Sequence, residues 1–260
     1  MKGGTGMEAV VIEMKRKLTY RAEWVFTILS SLTSILVQMA LWRYLYRENP
    51  GMLEYMVGYV IYSSILRILY SNQMYHLLAE KILNGDFILD LLKPVNLLWF
   101  SYLKSLGDVL SSLLLQALPL LILFAPVLGT VTKWEYLAAA LLALLAGHVL
   151  ISMIYAIVGL MAFLFVEVWA LRRLTEDTIR LFSGALLPIA LFPEPLKKAA
   201  EFLPFHYLYD FPLQILLSES TDWLYVKQQF IGVLVWGLGL SLLLYVSYRL
   251  AIRFCVVQGG

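Results

Sequence analysis

Long apolar runs alternate along the chain with short polar and charged breaks. A helix needs about 20 apolar residues to cross roughly 30 Å of hydrocarbon. Six runs approach that length, over residues 24–44, 55–75, 97–124, 136–166, 179–192 and 230–250, the fifth being the shortest. Pro119 falls late in the third run, where its missing N–H and its ring predict a kink.

Two segments depart from this rhythm. Five of the nine prolines fall between Pro188 and Pro212, inside the otherwise apolar stretch 183–217. That many prolines forbid one straight helix. Broken apolar backbone at membrane depth is stable only where protein or a water-filled cavity covers it. In transporters such breaks lie where substrates pass. The spacing predicts two short helices, near 195–202 and 205–217, hinged at Pro204. They would act as a gate over the exit or as a plug that only seals the fold.

The second segment is HLLAEKILNGDFILDLLKPVN, residues 76–96. Leu77, Leu78, Ile82 and Leu83 recur at helical spacing, Gly85 offers a stop, and Pro94 closes the apolar run 87–92. Glu80, Asp86 and Asp90 alternate with Lys81 and Lys93. This predicts a short amphipathic element between the second and third spans, serving either as a lever for a soluble partner or as an interfacial anchor. Ahead of the first span, residues 7–19 space Val10, Val11, Met14 and Leu18 among charges. That pattern fits an amphipathic interfacial helix or a plain basic flank.

Composition sharpens the picture. The chain is 61% hydrophobic and 15% charged, whereas soluble domains carry about 25% charged residues. Thirteen Lys and Arg fall near span ends on one side and six on the other, leaving Arg67 inside the second span. The positive-inside rule then puts both termini in the cytoplasm. Trp24, Trp42, Trp99, Trp134 and Trp169 sit near predicted helix ends, as an aromatic belt requires. A net charge of +2 gives no reason to expect nucleic acid, and the single Cys255 excludes an internal disulfide. The opening stretch is polar and basic, so no cleavable signal sequence is expected. No internal repeat interrupts residues 1–260, which read as one membrane domain.

The chain holds no GxxxxGK[ST] motif, no GxSxG elbow, and no Cys/His cluster with metal-ligand spacing. No catalytic or metal-binding residue is expected, and the chain is not read as an enzyme. Ionisable residues within the spans are few, and Arg67 and His148 are among them. They could line a pathway or an intersubunit contact; snorkelling for Arg67 and hydrogen-bonded packing for His148 are the plainer fates.

Read together, Ile82, Gly85, Asp90, Leu92, Lys93 and Pro94 precede a long apolar helix. Ser183–Gly184, Leu187–Pro188, Phe192–Pro193, Leu203–Pro204–Phe205, Tyr209 and Pro212 then follow in order. In this order the chain resembles permease subunits of type-two ABC exporters, in the six-span branch of this length. It departs at Ala185 and at an incomplete Phe–Trp pair near Val168–Trp169. The resemblance implies an all-α polytopic fold with six transmembrane helices and an N-terminal interfacial helix. It also implies a cytoplasmic coupling helix, and re-entrant extracellular helices in 193–217. ATPase coupling would fall to Ile82, Gly85, Asp86, Asp90, Lys93 and Pro94. The extracellular gate would use Ser183, Gly184, Pro188, Pro193, Pro204, Phe205 and Pro212. No cofactor would bind this chain; ATP and Mg would sit on two partner ATPase subunits. A second permease copy or a related permease would complete the pathway within the lipid of a prokaryotic cytoplasmic (inner) membrane. The cargo would be amphipathic or hydrophobic, such as a drug, a peptide or a lipid-like molecule, on an apolar lining. An ATP-independent secondary transporter or channel, and a membrane scaffold or immunity protein, remain alternatives at this stage.

Overall fold

The computed structural model describes residues 8, 10, 11, 14, 15, 21–70, 73–92, 96–165, 167–218 and 222–258, and among these there is no strand. The expected interfacial helix over 7–19 falls mostly outside that set, and Lys93 and Pro94 fall wholly outside it.

Helix α1 runs Arg21–Leu45 and α2 runs Pro50–Leu69. Asn49 starts α2 by accepting a bond from the Met52 N–H at 3.2 Å, and Pro50 fills the first position, where no donor is needed. Helices α3 (Gln73–Leu83) and α4 (Asp86–Leu91) form an elbow before α5 (Leu97–Ser112). Asn96 caps α5 by accepting from the Trp99 N–H at 3.0 Å. A π-helical turn, Leu113–Ala117, joins α5 to α6 (Leu118–Val131). Pro119 accounts for that turn: its ring crowds the Leu115 carbonyl, and a wider turn relieves the clash without ending the helix. The third span therefore continues past 124 as one rod to Val131. Then follow α7 (Leu137–Leu160), α8 (Val168–Phe182), α9 (Glu194–Phe202), α10 (Asp210–Leu217) and α11 (Trp223–Gln258).

Among the described residues, five helical stretches, rather than the six expected, are long and apolar enough to cross a membrane. They are Trp24–Leu45, one beginning at Pro50, Leu97–Val131, Trp134–Phe163 and Trp223–Arg253. The run over 179–192 is not one continuous helix. Helix α8 stops at Phe182, Gly184 turns at φ 85°, and only a 3-10 turn forms at Ile189–Leu191. Part of the run serves packing, Ile189 being 2% exposed, while Leu181, Leu186 and Leu191 stay at the surface. The α8 helix before it carries Arg172, Arg173, Glu176, Asp177 and Arg180.

Helix α7 is the hub, packing against α3, α8, α10 and α11, while α2 pairs with α1 and α6. The α3 backbone reaches α7 at Gly159, where a Cβ would lie 3.0 Å from the Leu78 Cβ and 3.1 Å from the Tyr75 carbonyl oxygen. The outer faces of α1 and α11 expose Phe26, Val37, Leu234 and Leu238. Hydrocarbon is the solvent that tolerates such a surface.

Candidate functional site

A cavity of about 810 Å³ opens among the helices. Thr27, Ser34 and Gln38 line it from α1, Ser63, Ser64 and Arg67 from α2, and Asp108, Ser112 and Gln116 from α5 and the π turn. Tyr155 of α7 and Arg173, Glu176, Asp177 and Arg180 of α8 add to the wall. Ala185, Leu186 and Tyr209 of the proline-rich segment also line it, and Ile68, Tyr70, Ile151 and Ile179 fill in between the polar groups. From Thr27 to Gln38 a helix rises about 16 Å, so the polar lining extends through roughly half a bilayer core. A wall facing lipid at that depth would be apolar.

The charges are unevenly matched. On α8, Arg172 pairs with Glu176, and Arg173 lies 3.9 Å from Asp177. Arg172 also stacks over the Tyr75 ring at 5.5 Å. Asp108 is 5% exposed and has a partner of its own. Arg67 and Arg180, both exposed, have no carboxylate within ion-pair distance among the described residues. His148 lies elsewhere. It is 7% exposed inside α7, packed on the Tyr102 ring at 5.9 Å, and does not line the cavity.

Behind the cavity wall formed by Tyr209, the segment 183–217 is tied to the bundle by buried polar contacts. The Tyr59 hydroxyl donates to the Gly184 carbonyl at 2.7 Å and lies 3.4 Å from Asp210 Oδ1. The Asp210 carboxylate accepts from the Ile189 N–H at 3.0 Å and from Gln214 Nε2 at 2.6 Å. Tyr225 donates to Gln214 Oε1 at 3.0 Å, and the Asp210 N–H donates to the Ser183 carbonyl at 3.0 Å. Among the residues expected at the gate, Ser183 and Gly184 join this knot directly. Pro188 lies one residue before the bonded Ile189, and Pro193 precedes α9. Pro204 opens a 3-10 turn, Phe205 follows it, and Pro212 sits in the first turn of α10. Asp210 and Tyr59, which hold the knot together, were not singled out from sequence.

The same segment sits deep among the helices. A Cβ on Gly147 would meet the Tyr207 carbonyl oxygen at 3.1 Å, and Gly232 faces the Tyr207 ring. Gly147 lies ten residues into α7, and Gly232 nine into α11. At helical rise those contacts are about 14–15 Å beyond the helix starts.

At the opposite end, the α3–α4 elbow is held by the Lys81–Asp90 ion pair and by Phe87. Phe87 is 1% exposed and meets Phe163 edge-on at 5.0 Å, with Tyr248 at 6.5 Å. Gly85 turns the elbow at φ 79°. Its outer surface presents Leu83, Ile88, Leu89, Leu92 and Asp86, with Leu89 60% and Leu92 78% exposed, while Ile82 is half-buried. Replacing Lys81 with alanine leaves Asp90, largely buried, without this cation. The expected cost is about 1–2 kcal/mol, read as faster amide hydrogen exchange over 84–92 with the long helices unchanged.

The family model described as ABC-2 family transporter protein matches residues 32–259. The chain belongs to that family. Among curated proteins, none matches it. With five long apolar helices, this ABC-2 family member is a multi-pass membrane component of an ABC transport system.

Proposed function

We propose that this ABC-2 protein is the export permease of an ABC transporter, driven by separate ATPase subunits that bind ATP and Mg. The observation that carries the reading is the arrangement of three parts. A polar cavity runs into the bundle, the knotted segment 183–217 adjoins one end, and an exposed apolar elbow lies at the other.

The chain path supports both termini lying in the cytoplasm. Helix α8 starts at the elbow end, and α11 starts at the opposite end. The stretch α8–α10 therefore carries the chain across as a sixth, broken crossing. Contacts about 14–15 Å beyond the starts of α7 and α11 support a re-entrant segment that dips in from outside. The exposed charges of α8 at the cavity mouth need cover at membrane depth. A second permease, identical or related, gives it, and two ATPases complete the complex. In this cycle, ATP-driven closure of the ATPases moves the elbow. The gate then releases an amphipathic cargo outward.

The test is the elbow surface. Leu89→Asp with Leu92→Asp leaves Phe87 and the Lys81–Asp90 pair in place, so the permease remains monodisperse. It should lose co-purification with its cognate ATPase. Undiminished co-purification would remove the elbow from the coupling role.

A further inference from the structure

We infer that the cavity binds the anionic head of its cargo, with Arg67 and Arg180 holding a phosphate or carboxylate group while the tail leaves toward the membrane. The inference rests on reading the cavity as the export pathway.

Of the charged side chains lining the cavity, Glu176 is paired with Arg172 and Asp177 lies opposite Arg173, one turn away on α8. Asp108 is buried and already engaged. Arg67 and Arg180 come from different helices, α2 and α8, and both are exposed to the same cavity. Tyr209 of the proline-rich segment lines the same cavity as both guanidiniums. A guanidinium at membrane depth is costly unless it meets water or an anion. Two of them lining one cavity, neither in an ion pair among the described residues, suit an oxyanion, because each can give two parallel N–H bonds to a phosphate or carboxylate. Ser63 and Ser64, one turn before Arg67, put further hydroxyls on the same wall. The cavity wall sets its charged and hydroxyl side chains beside Ile68, Ile151, Ile179 and Leu186, and the exposed apolar faces of α1 and α11 border hydrocarbon. An acid-headed amphiphile satisfies both surfaces; a cationic one would put like charge against the two arginines.

The experiment uses the full-length chain in phosphatidylcholine nanodiscs, without nucleotide. The probes are radiolabelled dodecyl phosphate, dodecyltrimethylammonium with the same tail, and inorganic phosphate as competitor. Arg67→Ala with Arg180→Ala should weaken dodecyl phosphate binding at least about tenfold. Arg67→Lys with Arg180→Lys should recover most of that loss, which also shows that the fold is intact. The cationic amphiphile should bind the native chain at least about tenfold more weakly than dodecyl phosphate. Equimolar inorganic phosphate should leave the dodecyl phosphate signal unchanged. Equal dodecyl phosphate binding by the alanine pair, or equal binding of the two amphiphiles, would overturn the proposal. Displacement by equimolar inorganic phosphate would overturn its assignment to an amphiphile. Because no ATPase takes part, failure of ATPase association would sink the exporter reading and leave the binding result standing.

Discussion

Gly184→Ala should abolish export and lower the thermal midpoint of the purified permease by several degrees. Gly184 sits at φ 85°, where a side chain costs about 1 kcal/mol or more. Space is the second obstacle. The new Cβ would lie 2.7 Å from the Tyr59 hydroxyl and 2.8 Å from the Asp210 Cβ, with the Asp210 Cα at 3.3 Å. The Asp210 backbone is bonded to Ser183 and its carboxylate to Ile189 and Gln214, so it cannot step aside without breaking the knot. Overpacking of this kind costs about 1–3 kcal/mol more. Tyr59→Phe is the control. It keeps the ring and removes the hydroxyl's bond to the Gly184 carbonyl together with its contact to Asp210 Oδ1, an expected loss of about 1–2 kcal/mol. Thermal shift in detergent, alongside vesicle export, reads both. If Gly184→Ala matches the native chain in midpoint and export, the knot is not what holds the segment.

Much of the membrane architecture was legible because hydrocarbon imposes a length and a composition on every helix that crosses it. The long runs at 24–44, 97–124 and 230–250 reappear as helices, lengthened at their ends where polar residues finish the turns. The fifth run misled because apolar content does not distinguish lipid-facing residues from residues packed in protein. Within that run, Ile189 is apolar for the second reason. Pro195 did mark the first short helix, at a position where a missing donor is tolerated, whereas Pro204 opens a separate 3-10 turn and the second helix begins only at Asp210.

The cavity was harder to see. Its residues come from α1, α2, α5, α7, α8 and the proline-rich segment, and no local pattern joins six elements. One part was readable: Asp108, Ser112 and Gln116 recur every fourth residue, which puts them on one helical face. Taken singly, Gln116 and Gln38 look like glue between helices; only the packed bundle turns them toward a shared space. Arg67 was noticed for its cost in the membrane, but its role depends on Arg180, more than a hundred residues away. The Tyr59–Asp210 contact spans the same kind of distance, and sequence offers no sign of it.

Phe87→Ala should uncouple the transporter while leaving its membrane bundle folded. The six-residue α4 is far below the length at which an isolated helix holds in water. Its placement therefore depends on Phe87 against Phe163 and Tyr248, and on the Lys81–Asp90 pair. Truncating a buried phenylalanine costs about 3–5 kcal/mol. A peripheral unit of this size opens by itself rather than with the whole protein. The expected result is rapid hydrogen exchange confined to about residues 84–92. The thermal midpoint of the long helices should move little, and ATP hydrolysis by the assembled complex should no longer respond to cargo. Phe87→Leu, which keeps most of the buried volume, should retain the coupling in large part. Leu89→Asp with Leu92→Asp makes the opposite break: the elbow stays ordered and its outer contact is lost. If both classes of variant uncouple, but only Phe87→Ala speeds exchange, then the elbow transmits force as a rigid body. Its stiffness comes from one aromatic side chain seated at the end of α7. Global unfolding by Phe87→Ala would instead make the elbow part of the core, and its exposed leucines would no longer be those of a lever.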